Sequence, residues 1–463
     1  MPRRVMSAIA LTLVVLLVLG VAGWFGGPKV LYATGLWSDG GSPTIDPSLY
    51  APTPAPTPTV VTPIPVAVAA TQGRLPDGAT LLARLNAVDR ATVGRAGMVV
   101  IDPLTGAAVT GQSADALMTP ASTLKLLTSA AALAVYGPDH RFTTKVVAGT
   151  GSQIVLVGGG DPYLRGAATA NYPERASIAD LADSTADALK TSGRTSVALA
   201  FDESLFSGAG WNPAWPANYH GDATPTSALW VDEGVTGLTH SLNPTGEAAN
   251  AFAAQLTARG IQVTSVAAGT APAGATQLAA VQSLPLDLIV SELLLHSDND
   301  ATEVLFRQVA LAAGRSGSIA DAQVAVPAKL AELGLWTDGM KMDDGSGLSR
   351  GNLATAAVLA KALAKGFTDP RYRALLDGLP TAAAIGTLHA RFDDIPTEGA
   401  GRGAVRAKTG TLTGVHSLAG FTRTADGGLV VFAFIANDVP ADGALAARDW
   451  LERTSSVVAA CGC

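Results

Sequence analysis

Apolar positions come in three textures along this chain. From Val5 to Phe25 they run almost without interruption; from about residue 77 to 141, and again beyond 281, many recur at helical spacing; between 142 and 280 they fall into short runs separated by glycine-rich turns. Each texture predicts its own elements. In the first helical region an amphipathic helix is expected over 81–86, then a hairpin with a strand at 97–101 and a turn at 102–106. A long helix follows over 119–137, with Thr119 as its cap, Pro120 at its first position and Gly137 as its stop. Its side chains are apolar on nearly every face, so it should lie inside the domain. The middle region predicts strands at 144–148, 154–157, 197–201 and 261–266 and helices at 178–191 and 248–259. Beyond 281 come helices at 286–295 and 301–313, broken at 296–299, a helix at 353–364, strands at 405–410, 417–423 and 429–436, and a last helix at 444–456. The pattern reads as α+β, with an α/β insertion occupying 142–280.

The first texture is long enough to matter on its own. As a helix the run from Val5 to Phe25 would span about 31 Å, the thickness of a bilayer core. Arg3 and Arg4 precede it, which predicts a cytoplasmic start and an exported remainder. A cleaved signal peptide is the alternative, with Val21-Ala22-Gly23 as its processing site. We therefore expect a transmembrane anchor over 1–28 and a Pro/Thr-rich linker over 29–76, stiff because its prolines favour extended polyproline geometry.

Charge narrows the partners. The net charge of −7, with no basic patch, argues against nucleic acid. Cys461 and Cys463 are the only cysteines, which excludes a disulfide framework; a frayed tail is the expected reading, a local disulfide the other. The six histidines show no metal-ligand spacing, and no cofactor motif is present; His416 is close enough to residue 408 to line a cleft there.

The candidate chemistry sits where polar residues interrupt apolar helices. Ser122 and Lys125 are three apart in the first turn of the buried helix, hence neighbours on one face. A hydroxyl and an amine there suit a nucleophile and the base that activates it, provided that burial and a second cation keep Lys125 neutral. Ser297-Asp298-Asn299 falls at a break between helices, and Lys408-Thr409-Gly410 on an expected edge strand. In that order the three motifs form the signature of class A β-lactamases and penicillin-binding proteins. Lys408 supplies the second cation; with the hydroxyls of Thr409 and Thr411 it would attract a substrate carboxylate. Ser297 can relay a proton to a leaving amine, Asn299 can hold a substrate amide, and the N–H groups of Ser122 and Thr411 would form the oxyanion hole. Gly410 lets the strand lie against substrate.

With Gly158-Gly-Gly-Asp-Pro-Tyr-Leu164, Asp343-Asp-Gly-Ser-Gly-Leu-Ser-Arg-Gly-Asn352 and Lys408-Thr-Gly-Thr-Leu-Thr-Gly414 added, the chain from about 80 to 460 resembles the class C low-molecular-mass penicillin-binding proteins, the D-alanyl-D-alanine carboxypeptidase/endopeptidases of peptidase family S13. The resemblance implies a β-lactamase/transpeptidase-like domain, an antiparallel sheet flanked by helices, built from 77–141 and 281–463 around the accessory insertion. It also implies a serine peptidase that removes the terminal D-Ala of peptidoglycan stem peptides through an acyl-enzyme and is acylated by β-lactams. Thr413 and Arg350 join the substrate-binding candidates on the same ground, Arg350 near a pocket for a charged side chain. The stretch from Ser122 to Ser297 is shorter than in full-length members, which points to a reduced accessory region, and the aromatic loop before Ser227-Ala228-Leu229 departs from members of known stem preference. That same stretch is far too long for a class A β-lactamase, and no Glu-x-x-Leu-Asn follows Ser297 to supply a deacylation base. Gly347-Leu-Ser-Arg-Gly351 matches a nucleophile elbow formally, but no apolar strand enters it, so it reads as a turn. A penicillin-sensing or wall-binding scaffold with little turnover is the non-enzymatic alternative.

Overall fold

The alternation of large side chains in the strand Leu429–Asn437 organises the molecule. Phe432 and Phe434 point to one face, Val431, Ala433 and Ile435 to the other, and all five are fully buried. A strand buried on both faces must be central. In the computed structural model, which describes residues 73–463 apart from 91–92, 169–172 and 238, it is the middle strand of a five-stranded antiparallel sheet. The strands are β1 (Arg95–Ile101), β2 (Ala108–Gln112), β10 (Arg406–Leu412), β11 (Val415–Arg423) and β12 (Leu429–Asn437), in the order β10-β11-β12-β1-β2. The predicted anchor and nearly all of the linker lie outside the described residues; among the described residues no helix is long and apolar enough to cross a membrane.

One face of this sheet is covered by α1 (Gly78–Asn86), through Leu81 and Leu85, and by the C-terminal helix Ala444–Ala459, through Trp450 and Leu451. The other face packs on the helix Ala356–Thr368, and α2 (Lys125–Tyr136) lies against that helix in the same core. From Lys125 to Leu133 every residue of α2 is buried, as its all-round apolar pattern requires. The break predicted at 296–299 is narrower in the structure. Helix Leu286–His296 ends at Ser297 in the left-handed conformation, and helix Asn299–Ala312 starts under a cap from Asp298, whose carboxylate accepts the N–H of Ala301 at 2.9 Å. A helix at Ile319–Glu332, which carries Pro327 in its interior, has no counterpart in the predicted elements.

The middle region forms a second, mixed sheet: β3 (Thr143–Ala148), β4 (Gln153–Val157), β5 (Ser196–Asp202), β8 (Gln262–Ala268) and β9 (Gln277–Gln282), ordered β8-β5-β4-β3-β9. Helices Ile178–Thr191 and Pro244–Ala258 bury Leu181, Leu189, Phe252 and Leu256 against it, and a short ribbon pairs β6 (Val235–Thr236) with β7 (Thr239–His240). Helix Pro244–Ala258 starts earlier than its apolar spacing indicates, because Asn243 caps it and Pro244 occupies its first position. The C-terminus is not frayed. Cys461 is buried and disulfide-bonded to Cys463, and the carbonyl of Cys463 accepts the N–H of Asp77 at 2.6 Å.

Candidate active site

Ser122 sits in a single 3-10 turn, Ala121–Leu124, that feeds directly into α2. The predicted cap at Thr119 does not form, because Thr119 is held elsewhere. Asn437 brackets it, accepting its N–H at 2.8 Å and donating to its carbonyl at 3.0 Å, while its hydroxyl reaches the carbonyl of Arg350. The chain then turns sharply: Ala121 takes φ +48°, a left-handed conformation costly for a residue with a Cβ. Gly347 allows the turn. It has φ +89°, and a Cβ there would lie 2.0 Å from the carbonyl oxygen of Ala121 and 3.0 Å from the nitrogen of Ser122.

Three acceptor atoms surround the amine of Lys125. Its Nζ lies 3.0 Å from Ser122 Oγ, 2.7 Å from Asn299 Oδ1 and 2.7 Å from the carbonyl of Ser346. Two of these are carbonyl oxygens and can only accept. A neutral amine has two N–H groups and one lone pair. The N–H groups are claimed by Asn299 and Ser346, so the lone pair is left for the hydroxyl of Ser122. Burial brings that state within reach of neutral pH: Lys125 is fully buried and its pKa is pushed down to about 8, so that a minor fraction of molecules carries the neutral amine at pH 7, although the carboxyls of Asp344, Asp298, Glu303 and Asp300 pull the other way. Burial, rather than the neighbouring cation, is thus the main cause, which corrects the weight the sequence reading gave to Lys408.

Lys408 stands on β10, an edge strand as expected. Its Nζ donates to Ser297 Oγ at 2.7 Å and to the carbonyl of Thr409 at 2.8 Å, and burial and then Lys125 hold its pKa well below the usual lysine range. The left-handed backbone of Ser297 aims its hydroxyl back at this strand. Gly410 is packed against the nucleophile, since a Cβ there would meet Ser417 Oγ at 2.2 Å, the Pro120 carbonyl at 2.8 Å and Ser122 nitrogen at 3.0 Å. Ser122, Lys125, Ser297, Asn299, Lys408 and Gly410 therefore come together. Thr411 and Thr413 are exposed where β10 turns into β11, and Arg350 Nη2 donates to the carbonyl of Thr413 at 2.8 Å.

Strand alternation sends two expected residues elsewhere. Lys408 and Gly410 face the cleft, the one reaching Ser297 and the other the turn of Ser122, so Thr409 points to the opposite side, where its hydroxyl pairs with that of Thr387 at 2.8 Å. Ser417 faces Pro120, so His416 is turned from the cleft into the other core, where burial and then Arg391 lower its pKa. Asn299 differs as well: its Nδ2 donates to the carbonyl of Asp222 at 2.8 Å while its oxygen holds Lys125, so both ends of the amide serve the protein's own framework.

The run 343–352, quoted above only as a resemblance, supplies parts that the sequence did not assign. Asp344 accepts from Gly347, Ser349, Asn352 and Trp215, tying the run into a knot, with Ser349 inside a turn as expected. Glu303 accepts the N–H groups of Gly345 and Ser346 at 3.0 and 2.7 Å, which fixes the carbonyl that holds Lys125.

Comparison with known proteins agrees with this geometry. The chain is 37% identical over 379 residues to the carboxypeptidase Rv3627c of Mycobacterium tuberculosis, covering 79% of this chain and 80% of the relative. It is 36% identical over 378 residues to the carboxypeptidase DacB of Mycolicibacterium smegmatis, with the same coverage of both chains. Penicillin-binding protein 4 (dacB) of Haemophilus influenzae has a similar fold, with a TM-score of 0.65 at 22% identity over 78% of this chain and 93% of that one. The sequence profile of the D-Ala-D-Ala carboxypeptidase 3 (S13) family matches residues 80–250 and 236–456. Fold, sequence and profile agree: the chain belongs to the D-Ala-D-Ala carboxypeptidase 3 (S13) family of serine-type peptidases.

Proposed function

We propose that Ser122 is the nucleophile and Lys125 the general base of a D-Ala-D-Ala carboxypeptidase acting on peptidoglycan stem peptides. The observation that carries this is the pairing of a fully buried amine with a hydroxyl 3.0 Å away, after carbonyl oxygens have taken its other two positions. Ser122 Oγ attacks the carbonyl carbon of the penultimate D-Ala as Lys125 Nζ takes its proton. The peptide C–N bond then breaks. The departing amine of the terminal D-Ala needs a proton. The Ser297 hydroxyl, its oxygen held by Lys408 Nζ, gives it while taking up the one that Lys125 removed from Ser122, so that Ser297 stays a hydroxyl and Lys125 returns to the neutral amine. The oxyanion is held by the N–H groups of Ser122 and Thr411, one on each side of the close approach at Gly410. Water releases the acyl group by the reverse route. A β-lactam enters the same first step and stays attached as an acyl-enzyme. The amine of Lys408 serves the substrate's terminal carboxylate as a hydrogen-bond donor, and Arg350, tied to the β10–β11 turn, a charged stem side chain.

The test is to incubate the purified chain with a diacetylated tripeptide ending in D-Ala-D-Ala, and separately with a fluorescent penicillin. Free D-Ala and stoichiometric labelling are expected, and Ser122→Ala should lose both. Labelling without release of D-Ala would favour the sensor reading, and labelling of Ser122→Ala would place the nucleophile elsewhere. A crosslinked dipeptide substrate reads the endopeptidase reaction. We further propose that the run from Val5 to Phe25 anchors the enzyme, with its catalytic part outside the cytoplasm. A membrane fraction holding the chain with its native N-terminus is the result this requires.

A further inference from the structure

A cavity opens between the insertion and the helix Asn299–Ala312, which contributes Arg307 to its wall. The rest of the wall comes from the segments 203–210, 225–228 and 242–245 of the insertion. Its volume is about 280 Å³. Pockets for drug-sized ligands run from roughly 300 to 1,000 Å³, so this one suits a smaller molecule. The segment 225–228 continues from the two points where the insertion grips the motif: the Asp222 carbonyl accepts from Asn299 Nδ2 at 2.8 Å, and the Thr224 N–H donates to Asp300 Oδ1 at 2.8 Å. None of the residues that line the cavity has a part in the mechanism above.

Two opposite charges line this cavity, and neither forms an ion pair among the described residues. Arg307 is 1% exposed, and its guanidinium is held by carbonyl groups alone. Nη2 donates to those of Ala209 and Gly210, and Nη1 reaches only that of Ser207, at 3.5 Å. A guanidinium has five N–H groups, so Nε–H and one N–H of Nη1 are left without an acceptor among the described residues. Glu303, one turn back on the same helix, accepts from Gly345 and Ser346 instead, and burial pushes its pKa up to about 8, so it compensates Arg307 poorly. A buried cation without a counter-charge is costly. The second charge is Glu203, which is exposed. Its Oε2 lies 2.5 Å from Thr245 Oγ1, which lies 2.7 Å from Ser227 Oγ, which in turn donates to the Leu229 carbonyl at 2.8 Å. Ser227 has thus spent its proton, and the single proton of Thr245 faces two acceptors. The row is one donor short, and its open end is the Glu203 carboxylate.

We propose that this cavity binds a small free α-amino acid, its carboxylate against Arg307, its ammonium against Glu203 and its side chain on the apolar surface of Phe206, Pro225 and Ala228. A simple anion would leave Glu203 unpaired, and a simple cation would leave Arg307 so. A molecule that carries both charges satisfies both, through charge-assisted hydrogen bonds. The D-alanine that the proposed reaction releases is one such molecule. The site stands independently of the assignment of Ser122, which labelling of Ser122→Ala tests separately.

The experiment titrates D-alanine and L-alanine into the full chain by isothermal calorimetry, with acetate and methylammonium as probes that carry one charge each. At least one alanine should bind saturably, with a Kd on the order of 1 mM. Acetate and methylammonium should each bind at least about tenfold more weakly, because each forgoes one charge-assisted contact. Glu203→Gln changes an exposed side chain; it should weaken alanine roughly tenfold and leave penicillin labelling near wild type. Arg307→Met should weaken alanine by as much. No saturable binding of either alanine would overturn the proposal, as would acetate binding equally well or an unchanged affinity in Glu203→Gln. Alanine displaced by benzylpenicillin would place it in the catalytic cleft and overturn the proposal too. Should Arg307→Met fail to fold, Glu203→Gln decides the matter.

Discussion

Replacing Asn299 with aspartate places a carboxylate where an amide oxygen now lies 2.7 Å from Lys125 Nζ. The side chain keeps its shape, so the main change is electrostatic. With the lysine titrating at about 8, roughly one molecule in ten has a neutral amine at pH 7. An opposite charge at this distance stabilises the ammonium and raises its pKa by roughly two units, leaving about one molecule in a thousand competent. Acylation by a fluorescent penicillin at pH 7 should therefore fall about 100-fold. The sign sets the profile: the wild-type rate climbs with pH and levels off above about 8, whereas the variant goes on climbing for roughly two units more and nearly rejoins the wild type in alkaline buffer. The variant also loses the N–H that Asn299 gives to the Asp222 carbonyl. That loss costs stability and alignment, but it would slow the reaction alike at every pH. A parallel drop across the profile would refute the claim that the neutral amine is the base; a displaced profile supports it.

Other outcomes follow from the packing around the nucleophile. Gly410→Ala places a methyl group 3.0 Å from Ser122 nitrogen and 2.8 Å from the Pro120 carbonyl, so β10 must move; a shift on the order of 1 Å should slow acylation about 100-fold, measured as the labelling rate at fixed pH. Gly347→Ala forces φ +89° on a residue with a Cβ and drives it into the Ala121 carbonyl, and should cost roughly 2 kcal/mol of stability or more in denaturant unfolding while also slowing labelling. Arg350→Ala leaves the Ser122–Lys125 pair untouched, so it should raise KM for stem peptides with a charged side chain and leave penicillin labelling near wild type; equal effects on both substrates would return Arg350 to a purely structural role.

Much of the framework was legible from local pattern, and the reasons are local. The buried helix announces itself because Leu126 to Leu133 offers no polar face, and the motif at 297–299 because polar residues interrupt two apolar helices. The strand at 408 is marked by the glycines that flank it. What local pattern misjudged is decided at a distance. Thr119 has the composition of a cap, yet Asn437, 318 residues away, takes its backbone. Thr409 sits beside Lys408 in sequence, yet the two face opposite sides of the sheet, and a resemblance that assigns both to substrate does not resolve which way each one points. The helix at 319–332 was missed, and it carries a proline in its interior, a residue that ordinarily marks a break.

The same division runs through the chemistry. Residue types and spacing say that Ser122 and Lys125 are neighbours, but not which of them holds the proton. That depends on what else Lys125 Nζ touches, and its other partners lie 174 and 221 residues along the chain. One is presented by a helix break that the insertion grips, the other by a knot that Asp344 and Glu303 hold in place. Were either carbonyl replaced by a donor, the amine would have to turn its lone pair toward that donor and present an N–H to Ser122, and the pair would lose its base without losing a single motif residue. The signature therefore specifies the reactants, while their protonation states are a property of the whole fold. Substitutions at 303, 344 or 346 should then alter the pH dependence of acylation although none of these side chains reaches Ser122.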